Sequence, residues 1–295
     1  MKYVILLIGI VTAGAQSYGQ EKSLREIRRQ VQQVIDTSQG NFAVVFKDLK
    51  SNNYFSINGE EVFHAASTMK TPVMMEVFKQ VNQGKYALSD SVLINNEFNS
   101  IVDGSPFSLD SSSDSDPDLY KYIGSKLTLA SLLARMIDMS SNLATNTIIK
   151  IIGAGNVNNT MVKLGVKNLK VLRGVEDQKA FDLKLNNVTT ADDQLILYES
   201  LAKGKFINKH SCRQMIEILS KQKHNEIIPA YLPKNVLVAH KTGSITGVEH
   251  DGGIIILPNG HRYILVLLSK NLIDEKTGIE ALARISKLIY GYVTN

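Results

Sequence analysis

The sequence predicts an α/β (α+β) fold in which an antiparallel sheet is flanked by helices and carries an inserted all-helical lobe. Three features predict this fold. Strand patterns occur near both ends of the chain, short turns join them, and the apolar spacing between the two groups is mainly helical. Consecutive strands joined by short turns pair antiparallel. We therefore expect the two chain ends to share one layer, with a ligand cleft between that layer and the helical lobe.

Residues 1–20 are predicted to be a cleaved export signal. Lys2 supplies a positive start, residues 4–13 form an apolar run, and Ala13-Gly14-Ala15 has the A-x-A pattern of a cleavage site. The run is too short to span a bilayer, and no cysteine directly follows it to which a lipid could be attached. We expect an exported protein, periplasmic or secreted, without a stable membrane anchor; a buried N-terminal helix is the alternative.

The first part of the mature chain has one helix pattern and two strand patterns. Apolar residues at helical spacing predict a helix over Glu21–Ile35. Strands are predicted over Asn41–Leu49 and Asn53–Ile57, joined by a short polar turn. From residue 67 to about residue 203 the pattern is mainly helical, for example over Thr128–Asp138, where the threonine is a predicted N-cap.

Strand patterns return near the C-terminus, over Val236–Ala239, Gly253–Leu257 and Tyr263–Ser269. The last two flank Pro258-Asn259-Gly260-His261, whose Asn-Gly pair is a strong hairpin signal. A final amphipathic helix is predicted from about Lys276 to Tyr292. The domain boundaries follow from this order: residues 21–62 and 205–295 form the α/β lobe, and residues 63–204 form the helical lobe.

One segment of the helical lobe, Ser105–Tyr120, is rich in Ser and Asp and has no periodicity. Its carboxylates suggest a calcium loop, but the Gly and the terminal Glu of an EF-hand are missing. We therefore expect a solvated surface loop.

Composition excludes several classes of protein. The 295 residues are 44% hydrophobic and 21% charged, which is typical of a globular chain and not of a disordered one. The single cysteine, Cys212, excludes an intrachain disulfide and a thiolate zinc site. The six histidines lack the spacing of a zinc hydrolase, so no metal or other cofactor is expected. The net charge of +5 is spread along the chain, so we expect no nucleic-acid partner.

A candidate nucleophile lies at the start of a predicted helix, in Ser67-Thr68-Met69-Lys70. Acyl transfer by a serine requires a base for the hydroxyl, donors for the oxyanion and a proton for the leaving nitrogen. The i, i+3 spacing puts the Ser67 hydroxyl and the Lys70 ammonium on one helical face. Lysine acts as a base only if burial or a neighbouring cation lowers its pKa, and Lys241 is a candidate for that cation.

Context selects one set among several motif matches. S-x-x-K and S-x-N each occur three times, and Lys-Thr-Gly occurs twice. Only Ser67, Ser140 and Lys241 give the order S-x-x-K, S-x-N, K-T-G in helix, helical-lobe loop and strand contexts. Lys241-Thr242-Gly243 extends a predicted strand, whereas Lys276-Thr277-Gly278 opens the last helix.

This set of motifs resembles that of the penicilloyl-serine transferase superfamily, and most closely the class A serine β-lactamases. The resemblance covers essentially the whole mature chain. It implies a β-lactamase/transpeptidase-like fold and a small-molecule partner, either a β-lactam or a peptidoglycan-like amide. We expect a monomer.

The resemblance also implies roles for the catalytic residues. Ser67 is similar to the acylated nucleophile and Lys70 to its proton partner, while Ser140 is similar to the residue that relays a proton to the leaving nitrogen. The backbone N–H groups of Ser67 and Ser244 would form the oxyanion hole.

The same resemblance implies the substrate-binding residues. Asn142 would orient the amide side chain of the substrate. Lys241 and Thr242 would hold its carboxylate, and Gly243 and Ser244 complete that binding strand.

Two departures from the family pattern concern loops. Ser141 stands where the family has an Asp that is usually structural, so we expect altered loop support. Glu176 is the best match to the glutamate that activates water for release of the acyl-enzyme, but Ala180 stands where an Asn is usual. A surface carboxylate paired with Arg173 is the alternative interpretation of Glu176.

The third departure concerns the substrate carboxylate. Family members often carry an Arg on the strand after K-T-G, yet no Arg lies between Lys241 and Gly260, and Arg262 is on the next strand. This absence weakens the case for a broad, efficient β-lactamase.

The sequence thus predicts an exported serine hydrolase that opens β-lactam rings through a Ser67 acyl-enzyme, hydrolysed with the help of Glu176. Two alternatives stay open. One is a related hydrolase or transpeptidase-like enzyme that acts on a non-lactam amide or peptide. The other is a penicillin-binding or sensor protein that turns over slowly.

Overall fold

The computed structural model describes residues 23–294, so the predicted export signal lies outside the described residues. Helix α1 covers residues 23–36. Its buried face consists of Ile27, Val31 and Val34, at the helical spacing from which the helix was predicted.

Within the described residues, a five-stranded antiparallel sheet has the order β2-β1-β11-β10-β9. Its strands are β1 (Asn41–Asp48), β2 (Tyr54–Ile57), β9 (Leu237–Ile245), β10 (Val248–Ile256) and β11 (Arg262–Lys270). Strand β1 from the N-terminal part pairs with β11 from the C-terminal part along its whole length. The predicted sharing of one layer by the two chain ends is therefore confirmed.

The turn between β10 and β11 is the predicted Asn-Gly hairpin. Gly260 has a φ of +81°, which glycine adopts without steric cost. Strand β9 lies at the other edge of the sheet from β2, so one of its sides is free to line a cleft.

Both faces of the sheet are buried. Val44 and Phe46 of β1 pack with Ile285 of the last helix, while Ala43 and Val45 pack with the helices of the central segment. Strands buried on both faces have nearly continuous apolar sequences instead of an alternating pattern. This double burial explains the uninterrupted apolar runs from which the strands were predicted.

The central segment is mainly helical. Its helices are α2 (Lys70–Asn82), α3 (Leu129–Asp138), α4 (Asn142–Ile152), α5 (Ala154–Leu164), α6 (Gln178–Asp182), α7 (Ala191–Ala202) and α8 (Lys209–Leu219). Short strand pairs join them: β3 (Phe63–His64) with β8 (Val188–Thr189), β4 (Ser91–Leu93) with β7 (Lys126–Thr128), and β5 (Phe98–Asn99) with β6 (Pro106–Phe107). Thr128 caps α3 as predicted, because its hydroxyl accepts the Ser131 N–H at 3.2 Å.

The last helix, α9 (Glu275–Thr294), covers one face of the sheet. Lys276-Thr277-Gly278 lies in its first turns, as predicted for the second Lys-Thr-Gly match. Across residues 23–294, no helix has the length and apolar character needed to cross a bilayer. The predicted fold class is confirmed, and the residue boundaries of the two lobes stay a prediction.

The Ser/Asp-rich segment differs from its prediction. Asp114, Asp116 and Leu119 are buried, and the guanidinium of Arg135 donates to both carboxylate oxygens of Asp116 at 2.8 Å. The expectation of a solvated loop is therefore wrong for the second half of Ser105–Tyr120. The described residues contain no cluster of three or more side chains suited to a metal ion.

Candidate active site

The candidate nucleophile lies in a 3-10 turn over Ala66–Met69, which leads directly into α2. Ala66, just before Ser67, has a φ of +44°, a conformation that is uncommon for a residue with a Cβ. The Ala66 N–H donates to His64 Nδ1 at 3.0 Å, which holds this conformation. Ser67 itself is partly exposed to the cleft.

Strand β9 packs directly against this turn. A Cβ placed on Gly243 would lie 3.0 Å from the backbone nitrogens of Ser67 and Thr68 and 3.1 Å from the Ala66 Cβ. The glycine of the K-T-G motif thus permits close approach of the strand. This approach brings the Ser244 backbone to the same edge as Ser67, as an oxyanion hole requires.

Lys70 is fully buried at the start of α2. Among the described residues, its Nζ donates to the Ser140 carbonyl at 2.5 Å, to Ser140 Oγ at 3.2 Å and to Asn142 Oδ1 at 2.9 Å. Burial lowers the pKa of the Lys70 ammonium to about 7, although the charges of Asp114 and Glu176 oppose the shift. A large fraction of Lys70 is therefore neutral near pH 7 and able to accept a proton.

Ser140 lies between two lysines. Its Oγ accepts from Lys70 Nζ and also from Lys241 Nζ, which is 3.1 Å away. A hydroxyl oxygen that accepts from two lysine amino groups keeps its own O–H free to donate. Ser140 has a φ of +60°, so the surrounding contacts hold it in an uncommon backbone conformation.

Lys241 is as deeply buried as Lys70, and its Nζ also donates to the Thr242 carbonyl at 3.0 Å. Burial, followed by the charge of Lys70, lowers the pKa of Lys241 well below its ordinary value. Lys241 was the candidate cation for lowering the pKa of Lys70. The main cause of the lowered pKa of Lys70 is instead burial. The repulsion between the two lysines lowers the pKa of Lys241.

Asn142 is the first residue of α4, and its side chain bridges two candidate catalytic groups. Its Oδ1 accepts from Lys70, and its Nδ2 donates to Glu176 Oε1 at 2.6 Å. Partial burial in the cleft raises the pKa of the Glu176 carboxyl, and the Asn142 hydrogen bond opposes that shift. Glu176 is thus in the same polar network as Lys70.

Arg173 does not pair with Glu176. Its guanidinium donates to the Leu185 and Gly174 carbonyls and to Asn186 Oδ1, all of which belong to the loop around Glu176. The alternative interpretation of Glu176 as a surface partner of Arg173 is therefore wrong. The arginine instead holds the loop that presents the carboxylate.

Asn146 of α4 fixes the backbone just before Glu176. Its Oδ1 accepts the Val175 N–H at 2.7 Å, and its Nδ2 donates to the Val175 carbonyl at 3.0 Å. A Cβ on Gly174 would lie 2.2 Å from Asn146 Oδ1, so the contact requires glycine there. No motif spacing singled out this contact, because its two halves lie far apart along the chain.

Strand β10, which follows K-T-G, contains the Glu249 carboxyl group and no arginine. Ser244 is exposed, and its Oγ donates to Glu249 Oε1 at 2.8 Å across the β9–β10 pair. Burial raises the pKa of Glu249 to about 7. Arg262 does not replace the missing group, because its guanidinium donates to the Ala202 carbonyl at the far end of β11.

His240 and Asp251 form a buried pair next to Lys241. The His240 Nδ1 lies 2.8 Å from Asp251 Oδ1, and Asp251 Oδ2 accepts the Ile228 N–H at 3.0 Å. This arrangement ties β9 and β10 to the preceding loop, so the contacts of His240 are structural.

A cleft of about 590 Å³ lies beside the polar network described above. Ser67, Asn142, Glu176 and Ser244 line it together with Phe181, whose exposed ring lies at the rim. The structure therefore brings all the residues predicted from the three motifs, and Glu176, to a single region between the sheet and the helices.

The sequence of this chain matches the model of the beta-lactamase enzyme family over residues 26–293. It is similar to beta-lactamase VEB-1 of Pseudomonas aeruginosa, with 21% identity over 288 residues that cover 90% of this chain and 89% of that protein.

Its structure is similar to that of a beta-lactamase from Sphaerobacter thermophilus, with a TM-score of 0.77, 26% identity, and 91% and 97% of the two chains covered. It is also similar to a mutant of PBP-A solved as an acyl-enzyme complex with penicillin-G, with a TM-score of 0.77, 26% identity, and 92% and 97% of the two chains covered.

Proposed function

The chain belongs to the beta-lactamase enzyme family, and we propose that it is an exported serine β-lactamase that opens β-lactam rings through an acyl-enzyme on Ser67. One observation carries this proposal: Ser140 Oγ lies 3.2 Å from Lys70 Nζ and 3.1 Å from Lys241 Nζ, and Gly243, on the same strand as Lys241, packs against the backbone of Ser67. Such a chain of groups can take a proton from the nucleophile and deliver it to a leaving nitrogen.

In acylation, Ser67 Oγ attacks the lactam carbonyl while neutral Lys70 accepts its proton. The burial that lowers the pKa of Lys70 to about 7 makes the neutral amine accessible near pH 7. The backbone N–H groups of Ser67 and Ser244 would stabilise the oxyanion of the tetrahedral intermediate.

Collapse of that intermediate breaks the lactam C–N bond. The Ser140 hydroxyl donates its proton to the nitrogen, and the Lys70 ammonium restores the proton on Ser140 across their 3.2 Å contact. Lys241, Thr242, Gly243 and Ser244 form the strand that would bind the substrate carboxylate. Asn142 would orient its amide side chain.

In deacylation, Glu176 accepts a proton from a water that attacks the acyl carbonyl. Ser67 then leaves with a proton, which regenerates the free enzyme. Desolvation raises the pKa of Glu176 and so makes it a stronger base than an ordinary carboxylate. The Asn142 Nδ2 keeps the carboxylate directed into the cleft.

A second candidate function is a penicillin-binding or sensor protein that acylates and then turns over slowly. Ala180, where the family pattern has an Asn, is fully buried and offers no side-chain group to hold a water. The similarity to PBP-A favours the same alternative. A peptide or another amide would be the natural substrate in that case.

The test combines a chromogenic cephalosporin with intact-mass measurement of the mature chain. Continued release of the chromophore with a transient adduct supports the β-lactamase. A persistent adduct, with chromophore release that stops at one equivalent per protein molecule, supports the slow penicillin-binding protein. If no adduct forms, the remaining interpretation is that the protein hydrolyses a different amide. The Ser67→Ala variant is the control, because any adduct that persists in it forms elsewhere on the chain.

A further inference from the structure

We propose that Asp114 is a positioning residue of the active site, which holds Asn142 between Lys70 and Glu176. The inference rests on the proposed function, because that function assigns these three side chains to one reaction. Asp114 belongs to the Ser/Asp-rich segment and lies 28 residues before Asn142 in the chain. Neither the motifs nor their spacing points to it.

The Asp114 carboxylate closes the start of α4. The Asn142 N–H donates to both of its oxygens at 3.0 Å, and the Leu143 N–H donates to Oδ2 at 2.9 Å. The first N–H groups of a helix have no partner within the helix, and an anion is favoured beside them. Asp114 therefore fixes the backbone that carries the Asn142 side chain.

Ser141 provides a hydrogen-bond acceptor for a different N–H group at the start of the same helix. Its hydroxyl accepts the Ala144 N–H at 3.3 Å, which leaves the N–H groups of Asn142 and Leu143 to another partner. Ser141 is also the residue that replaces the Asp of the family pattern. The carboxylate at this helix start thus comes from a separate segment, through Asp114.

Asp114 is itself held firmly. It is 6% exposed, and it also accepts the Tyr120 hydroxyl and the Asp116 N–H, each at 3.0 Å. Asp116 is anchored by its paired hydrogen bonds from Arg135. A carboxylate with so many donors has one position, so it can transmit that position to Asn142.

The charge of Asp114 also acts on both proposed bases. It raises the pKa of Lys70 and the pKa of Glu176. Without this charge both pKa values fall, so each base loses its proton at a lower pH. The acid limb of the pH–rate profile therefore moves to lower pH when the charge is removed, which a purely structural defect would not cause.

The test compares Asp114→Asn with Asp118→Asn in the full mature chain. Asp118 lies in the same segment but is exposed and pairs with Lys121, so its substitution makes the same charge change away from the cleft. Hydrolysis of a chromogenic cephalosporin is measured from about pH 5 to about pH 9. We expect Asp114→Asn to lower kcat by about 10- to 100-fold and to move the acid limb to lower pH. The kcat and the pH–rate profile of Asp118→Asn should be those of the wild type.

Tyr120→Phe provides a second variant, which keeps the charge but removes one hydrogen bond to Asp114. We expect kcat to fall by only a few-fold. The acid limb of the pH–rate profile should lie at the same pH as in the wild type. This variant decides the matter if Asp114→Asn does not fold, as judged by circular dichroism. In that case, a wild-type kcat for Tyr120→Phe would overturn the inference.

The outcomes separate this inference from the proposed function. If the wild type hydrolyses the substrate and Asp114→Asn has the same profile as Asp118→Asn, the positioning role is wrong and the proposed function stands. If the wild type neither forms an adduct nor hydrolyses the substrate, the proposed function is wrong, and this role for Asp114 is overturned with it.

Discussion

Ser67 is approached from two sides, and the two sides are built differently. On the helical side, Lys70, Ser140 and Asn142 are joined by hydrogen bonds of 2.5 to 3.2 Å within a largely buried network. On the strand side, exposed Ser244 lies near the end of β9, and its hydroxyl donates to Glu249. The helical side carries the S-x-x-K and S-x-N motifs, whereas the strand side carries K-T-G but lacks the arginine that family members often have.

This difference follows from what each side has to do. Proton transfer between nucleophile, base and leaving group requires fixed short distances, so the groups that carry it tolerate little change. Binding a substrate carboxylate requires only complementary charge and hydrogen bonds, which several residues can supply. Loss of a group on the helical side should therefore lower the rate, and loss on the strand side should change KM.

The largest difference between the two sides is expected for their two serines. Ser67→Ala should abolish adduct formation and lower kcat/KM at least about 1,000-fold, because the nucleophile is lost. The matched variant Ser244→Ala keeps the backbone donor of the oxyanion hole and should change KM only a few-fold. Adduct formation is measured by intact mass, and the kinetic constants of both variants are measured by steady-state hydrolysis. An adduct on Ser67→Ala would refute the assignment of the nucleophile.

Glu176→Gln should have the next largest effect, on deacylation alone. The amide cannot accept a proton from water, so release of the acyl group should slow by about 100- to 10,000-fold while acylation stays fast. Intact mass should then show an adduct that persists after the substrate is removed. Glu217→Gln, an exposed carboxylate of α8, is the control. Normal turnover by Glu176→Gln would mean that another group activates the water.

The pH dependence of acylation tests the helical side more finely. Because burial lowers the pKa of Lys70 to about 7, the neutral amine increases as pH rises through about 7 and dominates above it. The single-turnover acylation rate should therefore rise with pH across that range and reach a plateau. Lys70→Arg should lose this rise together with most of the rate, since arginine stays cationic. A flat profile for the wild type would show that Lys70 is not the base.

Much of the fold was predictable because it follows from local patterns. Helical spacing located α1 and α9, and the Asn-Gly pair located the turn between β10 and β11. The start of β10 was missed: the strand was expected from Gly253, whereas it begins at Val248. The residues between them include charged side chains, which are depleted in strands, but here they are buried and paired.

The missed part of β10 also hid Glu249, since its position opposite Ser244 depends on the strand register. Asp114 was hidden for another reason. A cap supplied from a distant segment leaves no periodic signal, and a run of Ser and Asp is typical of a solvated loop. Local motifs could identify the proposed catalytic side chains, whereas the side chains that only tertiary contacts bring to the site, such as Asp114 and Glu249, left no local signal.

The smallest expected effect is on the strand side, at Glu249. Burial raises its pKa to about 7, so the carboxyl is largely neutral below that pH and anionic above it. An anion bonded to Ser244 repels a substrate carboxylate held at Lys241 and Thr242. The KM for a cephalosporin with a free carboxylate should therefore rise by about two- to five-fold as pH increases through about 7, with little change in kcat.

Glu249→Gln removes the titrating charge and keeps an acceptor for the Ser244 hydroxyl. Its KM should stay at the low-pH value across the range, and a cephalosporin methyl ester should give a KM that is insensitive to this titration in both proteins. If Glu249→Gln instead lowered kcat as strongly as a substitution beside Lys70, the strand side would take part in the catalytic steps and not only in substrate binding. The contrast between the two sides of Ser67 would then be wrong.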